Sequence, residues 1–105
     1  MGYALPVEVD NRTTPRDEVH YRARATGPDG KSFSLLIVNM SALGLMARAD
    51  TAYQVGDRLD VTMPVVGTIA AEIRWSLGGR LGCELGRPID QADYFALLAA
   101  LIRAN

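Results

Sequence analysis

The sequence holds a single cysteine and a single histidine, and those two scarcities exclude much. Cys83 alone cannot form an intramolecular disulfide, so a reducing compartment, the cytoplasm, is expected. Its place in an alternating apolar run is that of a buried strand thiol rather than a nucleophile. His20 falls on the polar face of a strand, and with Cys83 it offers no zinc-ligand spacing, so no metal site is expected. No run of 18 apolar residues is present, which argues against membrane insertion. A basic stretch followed by an apolar core, the mark of a secretory signal, is also missing. Neither sign of charge prevails: 11 Lys and Arg stand against 12 Asp and Glu, a net charge of -1. Such a chain has no global basic field to steer DNA or RNA. The patterns G-x-S-x-G, G-x-x-x-x-G-K and G-x-G-x-x-G are absent and the carboxylates are scattered, so neither an enzyme nor a cofactor is expected.

What is present is a chain of 105 residues, 49% hydrophobic and 22% charged, which is one domain with one core. Residues 1–18 show no sustained period and read as a flexible leader; residues 19–105 form the folded domain. From Val19 the chain alternates, with Val19, Tyr21, Ala23 and Ala25 on one face and His20, Arg22 and Arg24 on the other. Further strands follow at 32–38, 45–48, 58–63, 69–76 and 80–85, with turns at Gly27-Pro28-Asp29-Gly30, Gly56-Asp57 and Gly78-Gly79. In the fifth strand Ile69, Ala71, Ile73 and Trp75 share the inner face.

The period then changes to that of a helix. Asp90 is a plausible N-cap, Asp93 and Arg103 complement the helix dipole, and Tyr94, Leu97, Leu98, Leu101 and Ile102 make one apolar stripe. That stripe either plugs a barrel end or meets a partner. The fold class is all-β: a six-stranded antiparallel, Greek-key-like barrel with one C-terminal α-helix. Closure of the sheet leaves no exposed edge.

Two stretches stand out. Asn39-Met40-Ser41-Ala42-Leu43-Gly44 interrupts an apolar run that resumes at Leu45, as a tight connection between two strands does. Gly44 either takes a positive φ or lets another group approach the backbone closely. Upstream, Arg12 and Arg16 frame Thr13-Thr14-Pro15. Arginine stays charged, offers a planar fork of donors to phosphate or guanine, and stacks on flat rings. The pair is either a set of solvated charges or a clamp for an anionic, base-bearing ligand, a patch that Arg22 and Arg24 would extend.

Taken together, these stretches resemble the PilZ domain family, which binds the bacterial second messenger cyclic di-GMP. That family carries R-x-x-x-R before the barrel and [D/N]-x-S-x-x-G on it, matched here by Arg12–Arg16 and Asn39–Gly44. Gly82-Cys83-Glu84-Leu85 is similar to the family's last barrel strand, and the resemblance spans roughly residues 10–103. Beside Arg12 stand Asn11 and Thr13, where the family often has a further basic residue.

The resemblance implies that Arg12 and Arg16 grip phosphates and guanine faces. It implies that Asn39 and Ser41 hydrogen-bond a guanine or its surroundings, and that Gly44 lets the ligand come close. It further implies a receptor that changes conformation on binding cyclic di-GMP and then acts on a downstream protein partner. A PilZ-like adaptor that binds a protein and no nucleotide is the alternative. A single-strand nucleic-acid binder would need aromatics on an outer strand face, whereas Tyr21 and Trp75 are expected to point inward.

Overall fold

The computed structural model describes residues 16–103. Most of the leader expected from sequence, residues 1–15, lies outside them. The elements are β1 (Asp17–Thr26), β2 (Ser32–Met40), β3 (Gly44–Arg48), β4 (Arg58–Met63), β5 (Gly67–Leu77), β6 (Arg80–Leu85) and α1 (Gln91–Arg103). The strands close into an antiparallel barrel in the order β1-β2-β3-β6-β5-β4. The β3–β4 connection joins strands that are not neighbours, as a Greek key requires. Alternation places Ala23 and Ala25 of β1, Leu35 and Ile37 of β2, Leu59 and Val61 of β4, and Ile69, Ala71 and Ile73 of β5 in one buried cluster. β1 begins two residues before its alternation is visible, because Asp17 and Glu18 pair with Met40 and Asn39.

Helix α1 supplies Tyr94, Leu97 and Leu101 to that same cluster, so it covers the barrel core. The Asp90 carboxylate accepts from the Asp93 amide at 2.9 Å, which satisfies one open donor of the first turn. The stripe is narrower than the sequence pattern: Leu98 is partly buried, and Ile102 points to solvent with Phe95.

Two irregularities decide which side chains reach the outer face. Between Ile37 and Asn39 the β2–β3 register shifts, and between Ile73 and Trp75 the β5–β6 register shifts. In each case one residue is added to the strand, Val38 or Arg74, and the residue after it changes face. Plain alternation from Leu35 and Ile37 would bury Asn39; the bulge turns it outward and brings Met40 in instead, fully buried. The series Ile69, Ala71, Ile73 would likewise bury Trp75. The bulge leaves it 40% exposed, which corrects the inward placement expected from sequence. Tyr21 is half-buried against the core, on the expected side.

Cys83 is buried, and burial pushes its thiol up to about 11. Thiol reagents attack the thiolate. Native protein at mildly alkaline pH is therefore expected to react slowly with a chromogenic disulfide, and protein unfolded in guanidinium to react at once. Equal rates in the two states would show that the thiol is accessible in the fold.

Candidate ligand-binding site

The site is built on the bend between β2 and β3. Ser41 and Gly44 close it: the Ser41 amide donates to the Gly44 carbonyl at 2.9 Å, and the Leu43 amide donates to Ser41 Oγ at 3.2 Å. Two further carbonyls of the bend are also taken. Leu43 accepts from the Leu85 amide and Ala42 from the Ile89 amide, at 2.8 and 2.9 Å. Ser41 is buried, the one polar residue in the buried class among those described.

Gly44 does not have a positive φ. A Cβ at this position would lie 2.6 Å from the Cys83 carbonyl oxygen, so the close approach that requires glycine is that of strand β6. The sequence left open which group comes near; along the Cβ direction it is the chain's own backbone.

Asn39 faces outward from the bulge. Its Oδ1 accepts from Arg16 Nη1 at 2.8 Å, and its Nδ2 lies 3.2 Å from Met46 Sδ. Two residues that stand 23 apart in sequence, one from each motif, thus meet side chain to side chain. Arg12 lies outside the described residues. Asp17, next to Arg16, is tied to the helix. The Tyr94 hydroxyl, one donor between two acceptors, lies 2.7 Å from Asp17 Oδ2 and 2.9 Å from the Met40 carbonyl. Burial, reinforced by the Asp17 carboxylate, pushes the Tyr94 phenol well above its ordinary value, so it remains a neutral donor.

The register extends the site sideways. Asn39 pairs with Met46, Met46 with Gly82, and Gly82 with Trp75. A Cβ on Gly82 would overlap the indole of Trp75, so the ring lies directly on the glycine backbone. The two bulges therefore bring an amide and an aromatic ring onto one outer row, with Met46 and Gly82 between them. Sequence reasoning did not place Trp75, Met46 and Gly82 on this row. The available signal was Gly82, a residue without a side chain in a strand, which marks close approach by another group. Among the described residues, no three His, Cys, Asp or Glu side chains gather as metal ligands would. No helix among them is long and apolar enough to cross a membrane.

The solved structure of Bacillus subtilis inhibitor of motility (MotI/DgrA) matches this fold with a TM-score of 0.61. The two are 21% identical over 91% of this chain and 51% of the other, so the chain spans about half the length of that protein. The barrel is PilZ-like in fold. No family model and no curated protein sequence matches the chain.

Proposed function

We propose that the chain is a cyclic di-GMP receptor that regulates a protein partner. The observation that carries this reading is the 2.8 Å bond from Arg16 to Asn39, which joins the arginine stretch to the strand bend on the barrel's outer face. Arg16 is exposed and free to exchange Asn39 for a phosphate or a guanine edge. Asn39 then presents an amide to the base, and Trp75 presents a ring face on the same row. Charge-assisted hydrogen bonds contribute about 1.5–3 kcal/mol each. The fold shared with an inhibitor of motility supports a regulatory role.

A second reading, an adaptor that binds no nucleotide, draws on a specific observation. Asn39 and Ser41 are already engaged within the chain, by Arg16, Met46 and the Leu43 amide. Titration calorimetry with cyclic di-GMP separates the two. A receptor gives heat in the micromolar range and a change in emission from Trp75, the sole tryptophan. Silence of both signals at high micromolar ligand leaves the adaptor.

A further inference from the structure

Away from the Asn39 row, a second cross-strand row runs Arg22–Leu36–Arg48–Arg80–Leu77. It follows the curve of the barrel through five of its six strands. Arg48 and Arg80 are direct partners across β3 and β6. Like charges in that position destabilise a sheet. All three arginines are exposed, and Leu77 is 78% exposed. Among the described residues the ion pairs are those of Arg74 with Glu72 and Glu84, so none of the three arginines has a carboxylate there. The side-chain bond of Arg22 is a long one, 3.4 Å to Ser34 Oγ. Beside this row lies an open cleft of about 690 Å³, lined by Arg22, Phe33, Leu36, Arg48, Asp50 and the Gly78–Gly79 turn. Its lining carries two cations against one anion, on a chain whose net charge is -1.

We propose that this cleft and its arginine row dock an acidic amphipathic helix of a protein partner. The spacing fits. Neighbouring strands lie about 4.8 Å apart, and carboxylates one helical turn apart on a helix face are separated by about 5–6 Å. Arg22 and Arg48 stand two strands apart, about 10 Å, close to the rise of two helical turns, about 10.8 Å. Acidic side chains at those positions neutralise a cluster that repels itself in the free protein. Apolar side chains between them meet Leu36, Phe33 and Leu77. Arginine beside exposed apolar surface is the composition of interface centres. The proposal deepens the receptor reading by naming the partner's chemistry, and it rests on that reading for regulation by nucleotide.

The test uses the full chain labelled with nitrogen-15 and a synthetic amphipathic helix of Glu, Ala and Leu, with a version carrying Lys for Glu as control. The acidic peptide is expected to shift the amides of β3 and of the β5–β6 turn, and the basic peptide to leave them unmoved. Arg80→Glu is expected to weaken acidic-peptide binding by about tenfold or more. Its thermal midpoint should equal or exceed that of the parent, because an opposite-charge pair replaces a like-charge one. Absence of shifts, equal binding of both peptides, or undiminished binding by Arg80→Glu overturns the proposal. So does cyclic di-GMP shifting the cleft amides while the acidic peptide does not, since that assigns the arginines to nucleotide. The receptor reading is scored separately, from the amides around Asn39 in a cyclic di-GMP titration of the same sample, so either reading can fail alone.

Discussion

Arg16→Ala is expected to weaken cyclic di-GMP binding about 30-fold, equivalent to about 2 kcal/mol for one charge-assisted contact. The side chain is exposed, and its described partner is the Asn39 amide. Exposed positions of this kind change folding stability by no more than about 0.5 kcal/mol. For a domain of this size the melting midpoint should move by only about 2–4 °C. The two measurements together decide what the residue is for. A variant that melts normally but binds poorly has lost a ligand contact. A variant that binds as the parent does removes the arginine from the site and leaves the strand bend without its cation. Asn39→Ala offers a companion measurement, since it deletes the group that Arg16 meets in the free protein.

The second large effect concerns Gly44, and it is an effect on folding. Gly44→Ala places a methyl 2.6 Å from the Cys83 carbonyl oxygen. That oxygen is backbone in a paired strand, so it cannot swing aside as the end of a long side chain does. Overpacking of this kind costs about 1–3 kcal/mol. At about 4–8 °C per kcal/mol the midpoint should fall by roughly 4–24 °C. Circular dichroism melting curves measure it directly. A midpoint unchanged from the parent would mean that β3 and β6 can separate at this point without loss, contrary to the geometry. The glycine of the strand-bend motif thus has a sufficient structural reason, whatever it also does for a ligand.

The strands were legible because apolar side chains that alternate in the sequence, such as Leu59 and Val61, enter the core. The helix was legible from Tyr94, Leu97 and Leu101 for the same reason. Trp75 was not. Ile69, Ala71, Ile73 and Trp75 form an unbroken alternation, and nothing in it announces the extra residue Arg74. A bulge is a property of two strands together, set by what the partner strand allows, and one strand's sequence carries little of it. The Arg48–Arg80 juxtaposition was hidden for a related reason. The two positions are far apart along the chain and meet only through the β3–β6 register. The arginine and strand-bend motifs were readable as patterns, but the contact of Arg16 with Asn39 required the fold.

The amides of Leu85 and Ile89 hold the carbonyls of Leu43 and Ala42 from the far side of the bend. A loop fastened at two successive peptide units cannot act as a hinged flap. Whatever Arg16 and Asn39 receive therefore meets a bend of fixed shape on the barrel's outer face.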